Sequence, residues 1–347
     1  MNIHEKYMKC CMELAQNGMG KVAPNPMVGC VIVHKDKIIG KGYHEKYGFA
    51  HAEVNAINSV ETRNLASLRE ATLYVNIEPC SHFGKTPPCA DLIIKTGFKY
   101  VVIGTLDPNS LVTGRGLQKL VSSGCDVKVG ILEKECRELN KRFFTFHEKK
   151  RPYVILKWAQ TKDKYMGITN CRLQITGHET AKLVHQWRGE EQSIMVGTNT
   201  ALTDNPKLTI RKAKGSNPTR ILIDRQLKIP SSFHLLDGSV PTIVFTSRKI
   251  AAKKNLEYVV VDFKKDTLKQ VMQELHHREI QSLIVEGGVQ LLTSFIENDL
   301  WDEAKVFTAE KSLSVKADGR GAPMMKAKRV GSKKVGSDLL ELYDNRE

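Results

Sequence analysis

A hairpin followed by alternating helices and short apolar strands, interrupted once by a charged run and a proline, restricts this chain to two successive α/β units. In the first series Ile3, Tyr7, Cys11, Leu14 and Ala15 fall at helical spacing, and Asn17-Gly18 stops the helix. Val28 to Val33 is β-rich, Lys35-Asp36-Lys37 turns it, and Ile38-Ile39 returns as its hairpin partner. The pattern then predicts a helix over 51–60, a strand over 72–77 and a helix over 89–96 closed by Gly97. A strand over 100–103, a helix over 115–123 closed by Gly124, a strand over 127–129 and a last helix from Glu133 to about Phe144 complete the series. His147-Glu148-Lys149-Lys150-Arg151-Pro152 ends that helix, because charge and proline cannot continue its buried face. The second series has strands predicted at 153–159, 193–197, 220–224, 242–246, 258–261 and 282–286. Its helices are predicted at 178–188, 266–277 and 289–297, with 339–343 as a final strand. The expected domains are 1–147 and 151–347, in keeping with about 100–200 residues per domain.

Composition removes several classes. With 41% hydrophobic and 26% charged residues the chain is neither wholly disordered nor fibrous. It has no apolar run of about 18 residues, so no membrane span is expected. Met1-Asn2-Ile3-His4-Glu5-Lys6 lacks the apolar core of a signal peptide, and a cytoplasmic location is the expectation. The cysteines stand at 10, 11, 30, 80, 89, 125, 136 and 171, too dispersed for a disulfide scaffold, so reduced thiols fit better, some of them available as metal ligands. The net charge is +15, yet the basic residues are spread along the chain. Neither Lys149-Lys150-Arg151 nor the group from Lys326 to Lys334 alternates with aromatics, so a single-strand nucleic-acid groove is not indicated.

One constellation carries chemistry. His51-Ala52-Glu53 opens a predicted helix, and Pro79-Cys80 and Pro88-Cys89 follow. One imidazole and two thiolates make three ligands and leave a fourth position open, the layout of a catalytic rather than a structural zinc. Zinc makes water reactive near neutral pH, and Glu53 is placed to take its proton and return it to a leaving amine. Cys89 opens a helix, whose dipole favours the thiolate. Eight residues separate Cys80 from Cys89, so the loop leaves the metal and returns to it, carrying His82 and Lys85. A cation there suits a phosphorylated or oxygen-rich substrate.

The segment from Pro79 to Cys89 with His51-Ala52-Glu53 closely resembles the deaminase half of the bifunctional riboflavin-biosynthesis deaminase/reductase family. Ala23-Pro24-Asn25-Pro26-Met27-Val28-Gly29, Gly42-Tyr43-His44 and Asp107-Pro108-Asn109 resemble it as well. Ala50 and Ser110 stand where the family usually has proline, and neither change removes a ligand. The resemblance implies a cytidine-deaminase-like three-layer α/β/α fold, with Asn25, His44, His82, Lys85 and Asn109 holding the pyrimidine or its ribose phosphate.

Residues from 151 to about 310 are similar to the reductase half, which implies a dihydrofolate-reductase-like α/β fold. The residues that carry this are Arg151-Pro152, Leu156-Lys157, Ile175-Thr176-Gly177, Val184-His185, Arg188, 196–200, Asp204-Asn205-Pro206, 208–211, Glu286-Gly287-Gly288 and Asp302-Glu303. Gly287 and Gly288, between a strand and a helix, let backbone amides approach a dinucleotide phosphate. Arg188 and Arg211 are separated cations able to clamp a 5′-phosphate. The resemblance places Ala159, Gln174, Thr200 and Asp204 near NADPH, and Leu208, Arg211 and Glu286 near the sugar. Thr161-Lys162-Asp163-Lys164 stands where the family usually reads Ser-Leu-Asp-Gly, and Gln174 where it often has Trp.

The resemblance implies zinc-dependent deamination of a small phosphorylated pyrimidine followed by NADPH-dependent reduction of its ribosyl group, with no nucleic-acid or membrane partner. A homo-oligomer, dimer or tetramer, paired through the reductase domain is also expected. Three alternatives stay open at this point. A tRNA- or DNA-directed deaminase predicts salt-sensitive nucleic-acid binding. A zinc-stabilised binding module predicts a closed metal site and no NADPH binding. A deaminase whose second domain serves only assembly predicts no hydride transfer.

Overall fold

The structure is a computed structural model that describes residues 2–61, 67–83, 87–110, 112–168, 174–313 and 319–346. It divides into two compact units, Met1–Lys150 and Arg151–Glu347.

In the first unit α1 (Ile3–Gln16) is started by a capping box between Asn2 and Glu5. β1 (Gly29–His34) and β2 (Lys37–Tyr43) pair antiparallel. Lys35 and Asp36, both at positive φ (46° and 58°), form the primed turn that matches strand twist. α2 (Ala52–Asn58), β3 (Thr72–Ile77), α3 (Cys89–Thr96), β4 (Tyr100–Thr105), α4 (Arg115–Ser122) and β5 (Asp126–Val129) follow. The sheet order is β2-β1-β3-β4-β5, with β3, β4 and β5 parallel. Period-two alternation produces the layers. Cys30, Ile32, Leu73, Val75, Val101 and Ile103 face Ala52, Ala56, Ala90, Ile93 and Leu120 of α2, α3 and α4. Val31, Val33, Tyr74 and Val102 face Tyr7, Met8 and Cys11 of α1 on the other side. α2 lies close on β2 because Gly42 has no side chain: a Cβ there would meet the Ala56 nitrogen at 2.4 Å.

The predicted helix from Glu133 to Phe144 is two helices, α5 (Glu133–Leu139) and α6 (Lys141–Lys149), broken at Asn140. The Asn140 amide is buried and bonds both backbone groups of Met27, accepting from its nitrogen at 2.8 Å and donating to its oxygen at 2.9 Å. That tertiary pair overrides the helical pattern.

The second unit contains β6 (Tyr153–Gln160), β7 (Tyr165–Ile168), α7 (His178–Glu190), β8 (Ser193–Gly197), α8 (Thr198–Asp204), β9 (Thr219–Ile223), β10 (Thr242–Thr246), β11 (Leu256–Val260), α9 (Thr267–His277), β12 (Ser282–Val285), α10 (Val289–Glu297), β13 (Glu303–Thr308), β14 (Gly319–Gly321), β15 (Lys328–Val335) and β16 (Asp338–Asp344). Nine strands form one sheet, β11-β10-β9-β8-β12-β6-β13-β16-β15, parallel from β11 to β13 and antiparallel beyond. β7 and β14 pair separately. Leu156, Met195, Ile221 and Leu283 pack against α9 and α10 through Val271, Leu275, Leu292 and Phe295. Ile155, Ile194, Leu222 and Ile284 pack on the opposite face with Val184, Trp187 and Ala201 of α7 and α8. The sheet is therefore covered on both faces, and its parallel strands end along one rim, where crevices for ligands form. Among the described residues no helix is long and apolar enough to cross a membrane.

Candidate active sites

Two helix starts and one strand end assemble the first site. His51 is the N-cap of α2, in extended conformation (φ −74°, ψ 166°), and Glu53 lies in that helix's first turn. Cys89 is the first residue of α3, and its N–H donates to Cys80 Sγ at 3.3 Å, while the Ala90 N–H donates to the Cys80 carbonyl. His51 Nδ1 is 3.5 Å from Cys80 Sγ and 3.4 Å from Cys89 Sγ. All three donor atoms lie within 4.8 Å of one another. A tetrahedral zinc with bonds of about 2.05 Å to nitrogen and about 2.3 Å to sulfur holds such atoms about 3.6 Å apart, so the donor set fits the ion.

Electrostatics agree. The Cys89 thiol and then His51 hold the Cys80 sulfur down to about 4, against the cost of burial. Cys89 is pushed up, first as the donor to Cys80 and then by burial. The pair thus shares a proton that a dication would displace. Glu53 is 3% exposed, and burial, reinforced by the Cys80 charge, pushes its carboxyl up to about 7.

The surrounding residues differ in how far they reach this centre. His44 is buried, its ring edge-on to His51 at 5.1 Å between centroids, with Nδ1 3.1 Å from the Ala50 carbonyl. Burial pushes His44 down, so the neutral ring is favoured. Asn25 Nδ2 is 3.1 Å from His44 Nε2, which brings the two together beside the metal ligands. His82 is exposed, and burial pushes the Asp107 carboxyl up to about 6. The Asn109 N–H donates to Asp107 Oδ1 at 2.8 Å. Lys85 lies outside the described residues.

Sequence reasoning passed over Glu78. Its carboxylate, 4% exposed, accepts four backbone N–H groups: Asp107 at 3.2 Å, Gly114 at 3.0 Å, Gly116 at 2.9 Å and Leu117 at 3.1 Å. It fastens the loop of Asn109 to the strand end that carries Cys80. The available signal was an acidic residue closing an apolar strand, directly before Pro79-Cys80.

In the second unit α7 and the end of β12 bring Arg188 and Glu286 together. Arg188 Nε donates to Oε1 at 3.1 Å and Nη2 to Oε2 at 2.7 Å, so this guanidinium is engaged rather than open. Lys157 Nζ, also missed as a site residue, stands 3.9 Å from Glu286 Oε2. Burial works against the Glu286 charge, yet Arg188 and Lys157 outweigh it and hold the carboxyl down to about 2. The Arg211 N–H donates to His185 Nδ1 at 3.1 Å, and the Arg211 side chain is exposed, donating to Thr209 Oγ1. Burial, then the Arg188 and Arg211 charges, push His185 down to about 4. Leu208 is buried at positive φ (52°).

A cavity of about 900 Å³ lies along the rim, lined among others by Gly197, Thr198, Thr200, Ile223, Phe263 and Gly288. A Cβ on Gly288 would meet Thr200 Oγ1 at 3.1 Å, so glycine keeps this wall open. That volume and these walls fit a dinucleotide. Thr200 and Gly288 thus line the cavity, whereas Gly287, just before it, and Asp204, the last residue of α8, do not. Ala159 is half-buried on β6, and Gln174 is exposed, its carbonyl accepting from Lys311 Nζ.

Comparison with known proteins finds relatives of both units. Residues 1–105 match the cytidine and deoxycytidylate deaminase zinc-binding region, and residues 152–336 match the RibD C-terminal domain, extending past the expected limit near 310. The riboflavin biosynthesis protein RibD of Aquifex aeolicus is 43% identical over 317 residues, 90% of this chain and 88% of that protein. That of Escherichia coli is 32% identical over 365 residues, 96% and 97% of the two chains. A crystal structure of a diaminohydroxyphosphoribosylaminopyrimidine deaminase/5-amino-6-(5-phosphoribosylamino)uracil reductase from Thermotoga maritima superimposes with a TM-score of 0.88 at 36% identity, covering 98% of each chain. With this identity sustained across both units, the chain belongs to the RibD family of riboflavin biosynthesis proteins.

Proposed function

We propose that this chain performs two successive reactions of riboflavin biosynthesis. Residues 1–147 hydrolyse the 2-amino group of 2,5-diamino-6-ribosylamino-4(3H)-pyrimidinone 5′-phosphate, consuming water and releasing ammonia. Residues 151–347 reduce the ribosyl group of 5-amino-6-(5-phosphoribosylamino)uracil to ribityl at the expense of NADPH. The observation that carries this reading is the convergence of His51 Nδ1, Cys80 Sγ and Cys89 Sγ beside the buried Glu53.

His51, Cys80 and Cys89 hold zinc, which when bound supplies a Lewis acid that makes water nucleophilic near neutral pH. Glu53 accepts the water proton on its carboxylate and delivers it to the departing amine. Its burial suits both transfers, since a carboxyl near 7 gains and loses a proton with little cost. Asn25, with its amide set by the neutral His44 ring, offers hydrogen bonds to the pyrimidine edge. His82 and Asn109 contact the ribose phosphate from the loops flanking the metal ligands, and Lys85 takes the same role on the family resemblance alone.

In the second unit NADPH supplies the hydride. Glu286, kept ionised by Arg188 and Lys157, accepts hydrogen bonds from the sugar hydroxyls. Arg211, exposed beside His185, takes the 5′-phosphate, and Leu208 closes the apolar side. The enzyme works in the cytoplasm, and copies pair through the reductase unit.

Incubation of the full chain with the pyrimidine phosphate, with and without NADPH, separates the steps when ammonia and 340-nm absorbance are followed independently. Glu53→Gln is expected to lower ammonia release by about 10²–10⁴-fold at unchanged zinc content, the usual scale of general acid–base assistance. Near-normal deamination by this variant would remove Glu53 from the mechanism.

A further inference from the structure

The segment that carries Arg211 has no regular structure of its own. Among the described residues, 205–218, between α8 and β9, form neither helix nor strand. Leu208 stands there at a φ of 52°, a conformation rare for a residue with a side chain and kept only where the surroundings hold it. The backbone groups that follow have no ladder to join, and their partners must come from elsewhere. Side chains supply them. The Thr209 carbonyl accepts from Arg188 Nη1 at 3.4 Å, the Ile210 N–H donates to Asn217 Oδ1 at 2.8 Å, and the Arg211 N–H donates to His185 Nδ1 at 3.1 Å.

Two of these partners come from one face of α7. His185, Arg188 and Gly189 are spaced i, i+3 and i+4 along that helix and so share a face. The segment crosses it closely: a Cβ on Gly189 would lie 3.2 Å from both Ile210 Cδ1 and the Lys214 carbonyl oxygen. Arg188 divides its guanidinium between the Thr209 carbonyl and the Glu286 carboxylate, and so links the segment to the end of β12. His185 has a narrower task. It is buried, and the bond from the Arg211 nitrogen is the one hydrogen bond its ring makes among the described residues. An acceptor at Nδ1 requires the neutral ring with its hydrogen on Nε2. Burial, then Arg188, Arg211 and Lys212, favour that form against the pull of Glu286. Arg211 thus has its backbone nitrogen fixed by the imidazole, while its guanidinium rests on Thr209 Oγ1 at 3.2 Å. A guanidinium fork meets a phosphate in one geometry, which is lost when the backbone that carries it shifts.

We propose that His185 is a positioning residue of the reductase site: by accepting the Arg211 N–H on Nδ1 it fixes the backbone from which the Arg211 side chain reaches the substrate's 5′-phosphate. The proposal rests on the reading of residues 151–347 as a reductase with Arg211 on that phosphate. Reduction is followed in the full chain as NADPH oxidation, with 5-amino-6-(5-phosphoribosylamino)uracil varied. His185→Leu removes the acceptor and is expected to raise KM about five- to tenfold, the scale of one backbone hydrogen bond, with kcat within about twofold. His185→Asn puts Oδ1 where Nδ1 stood and is expected to keep KM within about twofold of the wild type. His185→Gln carries its oxygen one bond farther out and is expected to behave as His185→Leu, which keeps the comparison if the leucine variant does not fold. In an Arg211→Ala background the loss of His185 should shift KM by less than about twofold, since no guanidinium is left to position. An unchanged KM without the acceptor overturns the proposal, and so does an asparagine variant no better than glutamine. A loss of equal size in both backgrounds marks a purely structural role and overturns it as well. The underlying reading fails separately. If Arg211→Ala alone leaves KM unchanged, the placement of Arg211 is wrong and takes the proposal with it; if the wild type oxidises no NADPH, the reductase reading itself falls.

Discussion

Glu78→Gln changes one atom and tests how the deaminase unit is held together. The carboxylate accepts two backbone N–H groups on each oxygen, Gly116 and Leu117 on Oε1 and Asp107 and Gly114 on Oε2. The glutamine amide has one oxygen, so whichever way it is placed its NH₂ group faces two backbone donors. Two N–H groups, buried or half-buried, lose their acceptor, at about 1–3 kcal/mol each, and the remaining pair loses its charge assistance. The total is about 4 kcal/mol. The surroundings cannot relax easily, because α4 starts tight against the strand end: a Cβ on Gly116 would stand 2.1 Å from the Pro79 carbonyl oxygen. For a unit of 150 residues this lowers Tm by roughly 10 °C. Scanning calorimetry of the full chain reads the transition of the first unit, with Glu70→Gln as control, since Glu70 is 74% exposed and makes only a surface contact with His34. Because the same carboxylate fixes the Asn109 loop, the KM of deamination rises while zinc content holds. A Glu78→Gln transition within about 2 °C of the wild type refutes the four-acceptor reasoning.

Glu286 carries a pH signature. Its folded carboxyl is held at about 2 against an ordinary 4.5, so its contribution is complete above about 4.5 and is lost as pH falls towards 2. That shift corresponds to about 3 kcal/mol, and the stability gap between wild type and Glu286→Gln should therefore narrow between pH 6 and pH 3. All three tryptophans, at 158, 187 and 301, lie in the second unit, so fluorescence-detected urea unfolding reads this gap, and a pH-independent gap would contradict the assignment. Asp302 is buried and accepts Arg151 Nη1 at 2.6 Å, Nη2 at 2.9 Å and the Val154 N–H at 2.9 Å. Asp302→Asn leaves the guanidinium without its counter-charge and is expected to cost about 3 kcal/mol by the same fluorescence assay; a loss under about 1 kcal/mol would show the pair to be replaceable. Chelation of the metal is expected to stop ammonia release and to leave NADPH oxidation with the deaminated intermediate unchanged, with zinc restoring the first reaction.

What could be read in advance followed the range of the interaction responsible. The strands over 72–77, 193–197 and 242–246 and the helices over 89–96 and 289–297 coincide with their sequence patterns, because burial on a covered sheet imposes its period locally. The split at Asn140 was invisible, since its cause is a pair of hydrogen bonds to Met27 across 113 residues. β15 reads Lys-Arg-Val-Gly-Ser-Lys-Lys-Val and lies at the sheet edge, largely exposed, so no apolar alternation marks it; edge strands use such charge to avoid pairing with other chains. The metal donors were legible because imidazole and thiol are scarce side chains, and two Pro-Cys pairs with a His-x-Glu leave few alternatives. Glu78 and Lys157 were not, because a carboxylate or an ammonium in a strand acquires meaning only from what it meets. Glu78 finds its four N–H groups between 29 and 39 residues downstream, and Lys157 finds Glu286 only because β6 and β12 are neighbours in the sheet. The same reasoning explains why Arg188 reads as an open clamp in sequence and as the partner of Glu286 in space. A cation is available to substrate only where no buried acid claims it, and that depends on the order of strands rather than on spacing along the chain.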